Sequence, residues 1–155
     1  MAQSELPAIL YLCTGNSCRS QMAEGWTRTL HPDRYVAYSA GIEAHGLNAR
    51  AVQVMQEAGI DISEQASQQI DELGDVHFDV VITVCGNADQ RCPQLSGEHR
   101  RMHVPFDDPP ALARDATDQQ TELAPYRRVR DEIREFVARL PEQLARQPVP
   151  DGSEP

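Results

Sequence analysis

A three-layer α/β/α fold built on a four-stranded parallel sheet is what this 155-residue sequence predicts. Three observations carry it. Residues 8–12 and 79–84 are short, nearly continuous apolar runs, the mark of strands buried on both faces. Segments of helical spacing alternate with the strands, which is the pattern of βα units joined by right-handed crossovers. The length suits one domain, and a domain of about 150 residues buries roughly 68–70% of its unfolded surface without needing staples.

The elements follow in order. Ala8–Leu12 is the first strand. The next helix has Ser17 as its expected N-cap and Met22, Ala23, Trp26 and Leu30 on one face. His31-Pro32-Asp33 ends it. Tyr35–Ser39 reads as a second strand, closed by Ala40-Gly41. Asn48 fits the cap of a second helix that turns Ala51, Val52, Met55 and Ala58 inward, with Gly59 at its C′ position. A short helix is expected near Glu64–Leu73. Asp79–Val84 is the third strand and Met102–Pro105 a short fourth. Phe106-Asp107-Asp108-Pro109-Pro110 reads as a turn, and Pro110–Pro125 as a long connection. The last helix is expected over Leu123–Arg146, with Val129, Ile133, Phe136, Val137, Leu140 and Leu144 on one face. Residues 1–146 are thus read as one domain. Residues 147–155 are polar and proline-rich and read as a disordered tail.

Composition narrows the function. The formal net charge of −10 argues against general binding to nucleic acid or to an anionic membrane. No apolar run reaches spanning length and the first residues have no signal-peptide core, so a cytoplasmic protein is expected. The four cysteines, Cys13, Cys18, Cys85 and Cys92, are then a poor disulfide framework. Catalytic, redox or metal-binding roles suit a reducing compartment better.

Cys13 and Arg19 are separated by five residues, between a strand and a helix. A loop over Thr14, Gly15, Asn16, Ser17 and Cys18 can turn successive N–H groups inward as an anion nest, to which the helix adds its positive end. Arg19 brings a planar fork matched to a tetrahedral oxyanion. Gly15 permits close backbone approach and Asn16 tolerates a left-handed conformation. The same field favours a Cys13 thiolate, to which Ser20 can donate a hydrogen bond. A buried cysteine beside an incidental arginine would require none of these neighbours. Cys18 is read as a small packed residue.

A thiolate attacking such an anion needs a proton for the departing oxygen. Asp108 is the candidate acid, because Pro109 holds its predecessor extended; Asp107 competes with it. Cys85 and Cys92, after the third strand, bracket Gly, Asn and Asp in what should be a mobile loop. Three readings stay open there: a redox relay, placed first, then inert packing, then zinc held with His99 and His103, for which the cysteine spacing is wide. The Cys13 loop, Cys85 and Asp108 each follow a predicted strand, so all three can meet at one sheet edge.

Taken together, the stretch from Cys13 to Trp26 (CTGNSCRSQMAEGW) resembles the opening of the thioredoxin-coupled arsenate reductases, which share the low-molecular-weight tyrosine phosphatase fold. So do Tyr38–Glu43 (YSAGIE), the Cys85/Cys92 spacing, Phe106–Pro109 (FDDP) and Arg128–Ile133 (RVRDEI). The resemblance implies reduction of arsenate to arsenite, serving arsenic detoxification, with no tightly bound cofactor. It implies an anion held by residues Thr14 to Arg19 and a relay. Cys13 attacks, Asp108 protonates the leaving oxygen, a Cys13–Cys85 disulfide forms and passes to Cys85–Cys92, and thioredoxin reduces it. Related enzymes use glutaredoxin or mycothiol. Some relatives hold potassium; Asn16, Glu24 and Ser39 match those positions, while Gln68 replaces an aspartate of that site. Two other readings compete. One is a low-molecular-weight tyrosine phosphatase, although Pro110 and Ala111 stand where aromatic residues are usual and Gln21 where proline is usual. The other is a non-catalytic arsenite or zinc binder.

Overall fold

The computed structural model describes residues 6–74, 76–86 and 99–146. Cys92, most of the Cys85–Cys92 loop, the zinc reading that needs Cys92, and the tail from residue 147 lie outside them. Four parallel strands, β1 (Ala8–Cys13), β2 (Val36–Gly41), β3 (Val80–Thr83) and β4 (Arg100–His103), form one sheet in the order β2-β1-β3-β4. Every residue of the two central strands, β1 and β3, is buried. That explains why their sequences are apolar without alternation.

The helices are α1 (Arg19–Leu30), α2 (Ala49–Glu57), the short α3 (Pro109–Leu112), α4 (Gln119–Ala138) and α5 (Leu140–Arg146). Helices α1 and α2 both pack against α4, and α1 also packs on β1 and β2. Met22, Ala23 and Trp26 of α1 join Leu123, Tyr126, Val129, Ile133 and Val137 of α4 in the buried core. No helix among the described residues is long and apolar enough to cross a membrane.

Several elements differ from expectation. The N-cap of α1 is Cys18 rather than Ser17, and no side chain caps it. The helix expected over Glu64–Leu73 is only a 3₁₀ turn at Ile70–Leu73. Asn48 does cap α2, accepting from the N–H groups of Arg50 and Ala51, an arrangement worth about 1 kcal/mol. Gly59 follows with φ +87°. Val54 takes the buried place foreseen for Ala58, which is exposed. Strand β4 begins two residues early, because only Met102 of Arg100–His103 is buried; a charged edge strand does not show the apolar pattern. Pro125 lies inside α4 instead of ending a connection. The missing N–H there is outweighed by the buried apolar stripe. The last helix breaks at Arg139 into α4 and α5.

Arg127 and Arg130 of α4 both reach Glu57 at the end of α2, at 2.8 and 3.2 Å. The Arg127 hydrogen bond holds the Glu57 carboxyl below the usual carboxylate range. A depressed folded pKa contributes stability above the unfolded value, near about 4.3, that is lost as pH falls through the folded one. Glu57→Gln is therefore expected to lower the melting temperature at pH 7 by about 1–3 °C and to change it little at pH 3. Paired thermal melts check this; equal melting at pH 7 would show that the pair contributes nothing.

Candidate active site

Parallel sheets of this order hold ligands where the strand order reverses, outside the carboxyl ends of the strands. Here that point lies between β1 and β3. Leu12 pairs with Thr83, and the Val84 N–H donates to the Leu12 carbonyl at 2.9 Å, so the residues that follow, Cys13 and Cys85, leave the same edge side by side. Adjacent strands lie about 4.8 Å apart.

The loop after β1 is held from behind. The carbonyls of Cys13, Thr14, Gly15 and Ser17 accept from the N–H groups of Ile42, Glu43, His45 and Asn48 at 3.2, 2.8, 2.9 and 2.9 Å. The Asn16 carbonyl accepts from the Gln21 side-chain amide at 3.0 Å. No peptide bond in the described chain is cis. A trans peptide points its N–H opposite to its C=O, so the N–H groups of Thr14 to Cys18 turn to the other side of the loop. Asn16 bends the loop with φ 49°. This is the nest geometry that receives an oxyanion, and the first turn of α1, free of a side-chain cap, continues it.

Cys13 stands at the start of this loop and is buried. Its Sγ lies 2.9 Å from the Ser20 Oγ. Arg19 projects from the first position of α1. Its Nη1 donates to the Phe106 carbonyl at 3.0 Å, and its Nη2 lies 3.5 Å from Asp108 Oδ1. The two neighbouring aspartates separate here. Asp107 turns to Arg128 on α4 at 2.9 Å, whereas Asp108 turns to Arg19. Asp108 is also the N-cap of α3 but makes no side-chain capping bond. Its carboxyl therefore faces the loop with about half of its side-chain surface exposed (45%), within reach of a solvent proton.

Cys85 is buried, and its Sγ lies 3.2 Å from the Thr14 Oγ1. The second thiol thus touches the loop of the first. Cys18 is also buried; burial pushes its thiol up, with the neighbouring Cys13 adding to the effect. A thiol held in that way is poorly suited to act as a thiolate.

Asn16, Glu24 and Ser39, the positions matched to potassium, are brought together. The Ser39 hydroxyl donates to Glu24 Oε1 at 2.6 Å, and Arg28 pairs with Glu24 Oε2 at 2.7 Å. Burial raises the Glu24 carboxyl above its usual range, against these two partners. The Gln68 N–H donates to Asn16 Oδ1 at 2.7 Å, and its side-chain amide donates to the Ser39 carbonyl at 3.1 Å. A potassium ion is held by oxygens turned onto it. These oxygens already face donor hydrogens and a guanidinium, so the residues present do not fit the ion.

Sequence reasoning missed three contributors. The His45 ring lies over Gly15, where an added Cβ would run into it, and its Nε2 meets Glu43. Gln21 is fully buried and ties Asn16 to Ala66. Arg128 holds Asp107 outward. Gln21 carried a signal as a departure from the proline of the phosphatases, and Arg128 as the first residue of the RVRDEI motif, but neither showed its contact.

The comparisons agree with this geometry. The family model described as low molecular weight phosphotyrosine protein phosphatase matches residues 8–149. An arsenate reductase of Bacillus licheniformis is 52% identical over 134 residues, spanning 86% of this chain and 94% of that protein. The solved structure of an arsenate reductase in the phosphate binding state superposes with a TM-score of 0.71 at 30% identity, covering 89% of this chain and 98% of that one. A thioredoxin-dependent arsenate reductase of Corynebacterium glutamicum shares the fold, with a TM-score of 0.67 at 21% identity over 94% of this chain and 66% of that one. Nest, cysteine and arginine are what a phosphatase of this fold requires, the second thiol at the loop is what it does not, and the chain accordingly belongs to the low-molecular-weight phosphotyrosine protein phosphatase family, among its arsenate reductases.

Proposed function

We propose that the chain reduces arsenate to arsenite through a cysteine relay. The observation that carries this reading is the Cys85 Sγ placed 3.2 Å from Thr14 Oγ1, inside the anion loop. Hydrolysis of a phosphoester needs the loop and the acid; it has no use for a second thiol there.

The Cys13 thiolate attacks arsenic held by the loop N–H groups and Arg19. An As–O bond breaks, and Asp108 gives the departing oxygen its proton. Cys85 then attacks the Cys13 sulfur. The S–As electron pair passes to arsenic, arsenite leaves, and a Cys13–Cys85 disulfide remains. Two thiols thus supply the two electrons. Cys92 attacks Cys85 and frees Cys13, and a dithiol protein reduces the Cys85–Cys92 bond. Thioredoxin is the reductant this reading favours, supported by the motif spacing and by the thioredoxin-dependent enzyme that shares the fold.

With thioredoxin and its reductase present, arsenate is expected to drive NADPH oxidation. After one turnover without reductant, peptide mapping is expected to find Cys85 joined to Cys92. A kcat/KM for phosphotyrosine peptides far above that for arsenate would assign the site to the phosphatase reaction instead.

A further inference from the structure

Behind the anion loop lies a mesh of neutral amides that the relay itself does not use. Gln68 stands at its centre. Its backbone N–H donates to Asn16 Oδ1 at 2.7 Å, and its side-chain amide donates to the Ser39 carbonyl at 3.1 Å. Its own carbonyl accepts the Gly41 N–H at 2.8 Å. Residue 68 is thereby bonded to the nucleophile loop and to the end of β2 at once.

The donor directions are settled by chemistry. A backbone N–H can only donate, so Asn16 must turn its oxygen to Gln68. Asn16 Nδ2 must then face Ser20, where it donates to Oγ at 2.9 Å. Ser20 Oγ accepts that bond, and once Cys13 is a thiolate, which can only accept, the Ser20 hydroxyl donates to its Sγ at 2.9 Å. The backbone N–H of residue 68 therefore orients the Asn16 amide, and that amide holds the hydroxyl that supports the thiolate. Asn16 and Ser20 are both fully buried, so no water competes for these bonds.

The oxygens of Asn16 and Ser39 are also ones that a monovalent cation would draw together. We propose that Gln68 does this work here as a positioning residue: its side-chain amide takes the Ser39 carbonyl and so holds its backbone N–H on Asn16, in place of a bound cation, so that the nucleophile loop is assembled without potassium. The inference rests on Cys13 being the nucleophile of the proposed relay. Its tests need no arsenate turnover, and a failed reductase assay would leave them standing.

The wild-type protein is compared in potassium chloride, sodium chloride and choline chloride at equal ionic strength. Two quantities are read: the melting temperature, and the alkylation rate of Cys13 by iodoacetamide, followed on its own peptide by mass spectrometry. Both are expected to be the same in the three salts. Gln68→Glu keeps the side-chain length but turns an acceptor onto the Ser39 carbonyl. The repulsion between the two oxygens is expected to pull the backbone N–H of residue 68 off Asn16 and, in choline chloride, to slow Cys13 alkylation by about tenfold; potassium is expected to restore the rate by bridging the two oxygens. A wild-type melting temperature or alkylation rate that rises specifically with potassium would overturn the proposal, whether or not the variant folds. So would a Gln68→Glu protein that alkylates at the parent rate in choline chloride.

Discussion

Cys85→Ser is expected to stop thioredoxin-coupled arsenate turnover, by roughly a thousandfold or more, while hydrolysis of p-nitrophenyl phosphate continues. Cys13→Ser is expected to remove both. The split follows from placement. Cys13 stands in the anion loop and makes the first bond in either reaction. Cys85 lies beside that loop, two residues past the end of β3, and is needed only when a second sulfur must attack Cys13 so that the S–As electron pair can leave with arsenic. Serine is nearly the shape of cysteine and can keep the hydrogen bond to Thr14 Oγ1, so the fold should survive the change. Coupled NADPH oxidation and nitrophenol release, measured on the same preparation, read the two reactions separately. If Cys85→Ser still turned over arsenate with thioredoxin, the relay would be wrong. If it lost both activities, Cys85 would be a structural part of the loop.

Gly41→Ala is expected to cost the protein both its stability and its nucleophile loop. A Cβ at residue 41 would lie 2.7 Å from the Asn16 nitrogen and 2.8 Å from the Thr14 carbonyl oxygen, and would collide with the Glu43 carbonyl. All three are backbone atoms, so no rotamer change can give way. Overpacking of this kind costs about 1–3 kcal/mol, which lowers the melting temperature by several degrees, roughly 3–10 °C. Because the displaced atoms belong to the loop, kcat/KM for arsenate should fall by at least about tenfold. Gly86→Ala is the control for stability, since a Cβ there meets nothing within 4 Å among the described residues. Thermal melts of the two variants, followed by steady-state kinetics of Gly41→Ala, decide the matter. A Gly41→Ala protein that melts and turns over like its parent would mean that the loop is not clamped against β2.

What the sequence disclosed, and what it hid, follows from burial. The runs at 8–12 and 79–84 were legible because strands covered on both faces have nowhere to place a polar side chain. Strand β4 starts two residues before its apolar pattern does, because an edge strand of two arginines and a histidine follows solvent rather than core. The local chemistry of Pro125 marks a boundary, yet the apolar stripe from Leu123 to Val137 holds it within α4. The Cys13-to-Arg19 loop showed itself through residue types that suit no other purpose at a strand end. The choice between Asp107 and Asp108 did not, since it depends on Arg128, which is 21 residues from Asp107 in the chain and 2.9 Å from it in space. Gln68 was visible only as a missing carboxylate. Nothing in the sequence said that its amide would stand where a cation otherwise draws oxygens together.

The tether of Arg19 to the Phe106 carbonyl has a thermodynamic consequence. A long cationic side chain normally loses rotamer freedom when it captures an anion, at a cost of up to about 2 kcal/mol. Here that ordering takes place during folding, while the guanidinium hydrogens not turned to Phe106 or Asp108 meet no other partner among the described residues. Capture of the oxyanion should then show a small entropic penalty in calorimetry. It should favour tetrahedral ions of a fixed radius over flexible or planar ones, as a rigid receptor does.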